Sequence, residues 1–287
     1  MPELAWLNGT YSSIADARVP VDDRGYQFGD GIYEVIRSYN GILWAMGPHM
    51  ARLERSLREV EITGIAVDTI ARQIEEAFFR SRIPDALIYL QITRGIQPRT
   101  HVWRDDLVPS MLITVREMPP RAKADLGKGV TAITLPDTRW GRCDIKSLNL
   151  LANCMAMKTA ARQGAFEPIL HKDGLVTEAA SAGLFFVKGG RLVTRENGPH
   201  ILPSVTSGLI VAYAREAGIA CEKRPYTLTE LMAADEAFFT ASSFAVQGIG
   251  SIDGQPVGAG VVGPVTKRIY ELYMAKVKAA VDGNPKL

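Results

Sequence analysis

Cysteine is scarce: Cys143, Cys154 and Cys221 are the only three in 287 residues. Their odd number and the lack of a CxxC spacing exclude a disulfide framework and a zinc finger, and fit a reducing compartment. An excess of charge of one sign is missing as well. Lys and Arg total 33 against 31 Asp and Glu, a net charge of +2. That is too little to draw the chain to nucleic acid or an anionic membrane. No apolar run approaches the ~18 residues of a membrane span. The opening residues Met1 to Trp6 hold no basic stretch leading into an apolar one. Neither secretion nor anchoring is therefore expected, and the expected location is the cytoplasm. Phosphate-loop, dinucleotide-fingerprint, HExxH and GxSxG patterns are absent. The four histidines, His49, His101, His171 and His200, have no metal-ligand spacing. Dehydrogenase, zinc-enzyme and serine-hydrolase chemistry thus lack their signatures, and no metal is expected.

What is present is ordinary globular material. Hydrophobic residues make up 47% and charged ones 22%, which excludes disorder over most of the chain. The length is about twice the ~150 residues typical of one domain, so two domains are expected. Asn8-Gly9 and Asn40-Gly41, each between apolar or aromatic runs, read as two-residue hairpin turns. Over 32–39, alternation places Tyr33, Val35 and Arg37 on one face and Ile32, Glu34 and Ile36 on the other. Met50, Leu53, Leu57 and Val60 predict a helix starting at Pro48, and Asp68 is placed to cap another that presents Ile70, Ile74 and Phe78. Strands are expected over 87–93 and 111–115. The Pro119-Pro120 pair breaks regular structure, so a linker over 118–122 separates domains 1–117 and 123–287. In the second half, a strand over 130–135 precedes a helix over 148–163. Short strands follow at 168–171, 175–177 and 184–187, then helices over 207–217 and 264–280. Strands and helices without regular βαβ alternation predict an α+β fold.

Four features suggest chemistry. Lys146 follows an apolar residue and lies at the expected start of a helix; a poorly solvated lysine becomes a nucleophile for carbonyl carbon. Glu178 ends a strand and precedes the small residues Ala179, Ala180, Ser181, Ala182 and Gly183, leaving room for a flat ligand whose ring nitrogen it would face. Arg52 on its helix, and Val205-Thr206 opening another, suit a phosphate. The loop Arg94 to His101 brings Arg99 and His101 to one side if extended, which suits a small carboxylate. Taken singly, each has a plainer reading: a snorkelling lysine, a solvated turn glutamate, a surface arginine or helix cap, a surface loop. Together they match the aldehyde, pyridine nitrogen and phosphate of pyridoxal phosphate, a cofactor of amino-acid chemistry.

The runs from Asp23 to Glu34, from His49 to Leu53, from Arg139 to Asn149, and Thr177-Glu178 resemble the fold-type IV pyridoxal-phosphate enzymes over nearly the whole chain. Pro98 to His101 and Cys143 to Asn149 are most similar to its D-amino acid transaminase branch. The resemblance implies a two-domain fold with the cofactor lysine in the larger C-terminal domain. It gives Lys146 the covalent bond to the cofactor aldehyde and the handling of the α-proton. Glu178 pairs with the ring nitrogen, Leu202 packs on the ring, and Arg52, Val205, Thr206 and Ser242 hold the phosphate, with Ser181 as the hydroxyl remaining after Glu178. Tyr33 and Val35 lie on the substrate side with Arg99 and His101. Those last two are expected to reach in from a neighbouring subunit, so a homodimer with shared active sites is implied. The expected reaction is amino transfer between D-amino acids and 2-oxo acids. The rivals are an (R)-selective amine transaminase, a branched-chain aminotransferase and an aminodeoxychorismate lyase. One departure stands out: Ala179, Ala180, Ala182 and Gly183 replace most of the serines and the asparagine usual after the glutamate.

Overall fold

A computed structural model of the chain describes residues 3–118 and 126–283. Of the expected linker, residues 119–122 lie outside the described residues. The described residues form two compact units, 3–118 with Ile145–Asn149, and 126–144 with 150–283. Among them no helix is long and apolar enough to cross a membrane.

The first unit runs β1 (Leu4–Leu7), β2 (Thr10–Ser12), α1 (Arg24–Phe28), β3 (Gly31–Tyr39), β4 (Ile42–Leu43), α2 (Met46–Glu59), α3 (Val67–Ser81), β5 (Ala86–Thr93) and β6 (Ser110–Glu117). Its sheet has the order β2-β1-β6-β5-β3-β4, antiparallel throughout. Both Asn-Gly pairs make the expected hairpin turns. Asn8 and Gly9 have φ of 46° and 96°, and Asn40 and Gly41 have 44° and 87°, the positive values a type I′ turn demands. The alternation along β3 is also as expected: Ile32, Glu34 and Ile36 are buried, while Tyr33, Val35 and Arg37 are half-buried. The apolar stripes of α2 and α3, with Leu53, Ile70 and Ile74, pack with Ile32, Ile36 and Ile88 in one core. Helix α2 starts two residues before Pro48, after Ala45 in a left-handed conformation. Asp68 lies inside the first turn of α3 rather than capping it, because Ala66 takes the cap position without a side-chain bond. There the acid still faces the positive end of the helix.

The second unit comprises β7 (Val130–Pro136), α4 (Leu151–Arg162), β8 (Glu167–Lys172), β9 (Leu175–Ala179), β10 (Gly183–Lys188), β11 (Arg191–Thr194), α5 (Val205–Glu216), β12 (Cys221–Lys223), α6 (Leu228–Met232), β13 (Glu236–Ala241), β14 (Ala245–Ile252), β15 (Gln255–Pro256) and α7 (Pro264–Val281). The sheet order is β12-β11-β10-β13-β14-β7-β8-β9, with β15 on β14. It mixes parallel pairs (β7 with β8 and β14, β11 with β12) into an otherwise antiparallel array. Phe186, Tyr226, Leu231 and Phe239 centre its core. Pro264 occupies the first turn of α7, where its missing N–H costs nothing.

One local expectation fails with a consequence. Helix α4 begins at Leu151, not at 148. The preceding segment is extended along β3: Tyr33 N–H donates to Lys146 O at 3.0 Å, Leu148 N–H donates to Gly31 O at 3.0 Å, and Ile32 bridges Ser147. A backbone hydrogen-bonded to a strand is unavailable to a helix. The resemblance places Lys146 in the C-terminal domain, and the apolar pattern puts it at the mouth of a helix; it packs instead in the first unit, on a strand edge.

Candidate active site

In the first unit, β3 and the 145–149 segment set the stage. Lys146 is half-buried, and its Nζ lies 4.1 Å from the centroid of the Tyr33 ring, a cation–π distance. Tyr89, opposite Val35 on β5, lies beside Tyr33 with the rings tilted and their centroids 5.8 Å apart. Burial, with Tyr33 adding to it, pushes the Tyr89 hydroxyl up to about 12, so it stays protonated. On the other face of β3, Glu34 is fully buried. It accepts from Arg52 Nε at 2.7 Å and Nη2 at 2.8 Å, and pairs with His49 Nδ1 at 2.8 Å. Burial alone would raise this carboxyl, but the Arg52 charge and both sets of hydrogen bonds outweigh it and hold it down at about 2. The two-pronged pairing fixes the plane of the Arg52 guanidinium.

In the second unit, β9 ends in Glu178, which is buried. Its Oε1 accepts from Arg139 Nη1 at 2.5 Å and from Leu202 N–H at 3.0 Å. Its Oε2 has no hydrogen-bond partner among the described residues. Glu178 and Leu202 line a cavity of about 90 Å³ together with Gly183, Ser204 and Ser207. Burial raises the Glu178 carboxyl above its ordinary value, against the pull of Arg139. Arg139 is itself shared: Asp137 takes its Nε at 3.0 Å and Nη2 at 2.8 Å, and Thr177 donates to Asp137 at 2.7 Å. Helix α5 is capped by Ser204, whose Oγ accepts from Ser207 N–H at 3.2 Å. The N–H groups of Val205 and Thr206, in the first turn, have no partner among the described residues, nor does the hydroxyl of the buried Thr206. Such free amides form an anion-binding terminus.

The remaining expected residues are placed as follows. Ser242 sits half-buried in the turn after β13. Ser181 is engaged by Glu167, which accepts from its N–H at 2.5 Å and its Oγ at 3.0 Å. The turn is tied further by Asn153, donating to Ala180 O at 2.6 Å. The alanines after Glu178 therefore leave a turn anchored from outside by Glu167 and Asn153. Gly183 closes it where a Cβ would collide with the Ser207 hydroxyl. Arg99 and His101 are exposed. Arg99 donates to Gln27 O at 3.1 Å and lies over Phe28 at 4.4 Å, with the His101 ring 5.5 Å from the same ring. Within the protomer neither makes a hydrogen bond or ring contact with Tyr33.

Sequence reasoning overlooked four supporting groups: Glu34, His49, Arg139 and Glu167. For Glu34 a signal existed, a carboxylate on the same face as Ile32 and Ile36, which burial tolerates only with a partner. For Glu167 and Arg139 no local pattern marks the role. Burial pushes Glu167 up to about 7, with its Ser181 bonds pulling the other way.

Taken each by itself, the lysine amine in the first unit, and in the second the buried carboxylate with one open oxygen and the helix terminus with free amides and a hydroxyl, suit the aldehyde, ring nitrogen and phosphate of pyridoxal phosphate. Comparison with known proteins gives the family. The family model described as Amino-transferase class IV matches residues 31–252. The D-alanine aminotransferase of Bacillus licheniformis is 40% identical over 265 residues, covering 92% of this chain and 93% of that protein. The branched-chain amino acid aminotransferase structure of Escherichia coli superposes with a TM-score of 0.88 at 24% identity, over 95% of this chain and 93% of that one. The T.th. branched-chain amino acid aminotransferase, solved with pyridoxamine 5'-phosphate, also gives 0.88, at 23% identity over 99% of this chain and 95% of that one. The last two likenesses show the shared fold, α+β in two parts.

Proposed function

Since this chain belongs to the class IV aminotransferase family, we propose that it transfers amino groups between D-amino acids, of the D-alanine and D-glutamate type, and 2-oxo acids such as pyruvate and 2-oxoglutarate. The observation that carries the reading is the half-engaged Glu178: one oxygen fixed by Arg139 and Leu202, the other open. A carboxylate so arranged, charge-paired with Arg139 and with one oxygen free, would accept a ring N–H and favour the protonated nitrogen. When bound, pyridoxal phosphate supplies an aldehyde for the amine and a ring that withdraws electrons from the substrate α-carbon. Lys146 Nζ would be the amine that tethers the cofactor and the group that takes the α-proton and returns one, base and then acid. Arg52, fixed by Glu34, would hold the phosphate, a role also given to the amides of Val205 and Thr206, the Thr206 hydroxyl and Ser242. Leu202 covers the ring, and Ser181 supports the turn beside it.

Tyr33 and Val35 line the substrate side. Arg99 offers two parallel hydrogen bonds to the α-carboxylate, and His101 and Tyr33 complete the clamp. Because Arg99 and His101 are exposed on their own protomer, they serve the neighbouring subunit's site in a homodimer. The enzyme works in the cytoplasm on small molecules. Visible spectra of the purified protein before and after D-alanine, L-alanine and (R)-1-phenylethylamine test this reading. A cofactor band that shifts with D-alanine and not with L-alanine is expected. A shift with L-alanine alone, or no band, overturns it, and a shift with the amine alone makes it an amine transaminase.

A further inference from the structure

We propose that the buried cluster Arg24–Asp30–Arg94, with Phe28, is the positioning device of the substrate-carboxylate clamp: it sets where Arg99 and His101 stand. The inference rests on the clamp role given above to those two residues.

The loop that joins β5 to β6 holds no regular element over 98–106, and those residues are exposed. A loop of that length keeps a side chain in place only if its backbone is tied down. Here the tie comes from below. Arg24 Nη1 donates to Thr100 O at 2.7 Å and Nη2 to His101 O at 3.2 Å, while its Nε donates to Asp30 at 2.7 Å. The two carbonyls are those of the residues that follow Arg99. Asp30 accepts from Arg94 Nε at 2.9 Å on the same oxygen. Arg94 in turn donates to the carbonyls of Val60 and Glu61, at 2.7 and 3.0 Å, the end of α2. Its guanidinium lies 3.9 Å from the centroid of Trp103, so the loop is fixed again two residues beyond His101.

The side chains are held as the backbone is. Arg24 and Phe28 are four apart on α1, which puts them on one side of the helix. The Phe28 ring has the Arg24 guanidinium at 4.9 Å, Arg99 at 4.4 Å and the His101 ring at 5.5 Å. It is the shelf on which both clamp residues rest. Arg24 and Arg94 are 3% and 6% exposed, and burying two guanidiniums on one carboxylate is expensive for a surface loop that has only to connect two strands. The arrangement is explained if the loop must present its two basic groups at a fixed point.

Calorimetric titration of the holoenzyme with propionate, a carboxylate without an amine, tests the proposal alongside kcat and KM for D-alanine. Arg24→Lys keeps the charge but cannot span two carbonyls and Asp30. It should weaken propionate and raise KM about tenfold, the size of one partly lost charge-assisted hydrogen bond, with kcat within about twofold. Phe28→Leu, which leaves every ion pair standing, should weaken propionate about threefold. Arg99→Ala is the reference. If Arg99→Ala weakens propionate while Arg24→Lys and Phe28→Leu bind it as the wild type does, the cluster is packing alone and the proposal is overturned. If Arg99→Ala binds propionate normally, the clamp reading itself falls. Retention of the visible cofactor band in each variant separates a displaced clamp from a lost cofactor.

Discussion

Glu34 in the first unit and Glu178 in the second are both buried carboxylates facing an arginine, and they are moved in opposite directions. Glu34 has both oxygens occupied, by two prongs of Arg52 and by His49, and sits at about 2. Glu178 has one oxygen occupied, and its arginine is divided with Asp137, so burial prevails and the carboxyl is raised. A saturated carboxylate is a fixed counter-charge; a half-saturated one has an oxygen left for a ligand. Burial and an arginine partner do not by themselves distinguish scaffold from reactive group. The number of open lone pairs does.

The comparison is broken most directly by Glu34→Gln. Removing one side of a buried pair leaves Arg52 short of its counter-charge, and chemical denaturation should show a loss of about 3–5 kcal/mol. The pH dependence follows. Because folding lowers the Glu34 value from 4.5 to about 2, its stabilisation is full above about 4.5 and disappears as pH falls toward 2. The variant's acid limb should accordingly be flatter than the wild type's over that window. Glu178→Gln should behave in the opposite way, with kcat for D-alanine falling on the order of 10²-fold and stability changing far less. A large loss of stability with near-normal turnover would make Glu178 a second Glu34.

Glu167 sharpens the contrast further. Its value is raised from 4.5 to about 7, so its contribution to stability is full below about 4.5 and is lost as pH rises through 7. Glu167→Gln should remove that decline, on the order of 2 kcal/mol, from stability curves measured between pH 5 and 8. The smallest effect is expected at the helix terminus. Thr206→Val keeps the shape and loses one hydroxyl, so cofactor release on dialysis should reflect an affinity about tenfold lower, with apo-protein stability near wild type.

Much of the scaffold was legible locally. The Asn-Gly turns, the two faces of β3, the stripes on α2 and α3 and the proline start of α7 each depend on residues within a few positions of one another. Errors arose where a distant strand intervened. The apolar pattern predicts helix over 148–150 with the residues that follow, yet the 145–149 segment gives its backbone bonds to β3, over a hundred positions away in the chain. The site divides in the same manner. The roles proposed for Lys146, Glu178 and the Val205-Thr206 terminus rest on their own residue types and neighbours. The roles of Glu34, Arg139 and Glu167 did not, since each depends on a partner in another element.

The order of residues alone sets out the groups to which the proposed reaction appeals: a lysine amine, a glutamate before a run of small residues, a capped helix start and a basic loop. It also determined the alternation that turned Tyr33 outward and Glu34 inward. Only the tertiary structure decided which carboxylate is sealed and which is open. That depends on Arg52 arriving from 18 residues away and Arg139 from 39, and on how much water each carboxyl loses. Desolvation and counter-charge are properties of the packed chain, whereas side-chain period and turn geometry are properties of the local backbone.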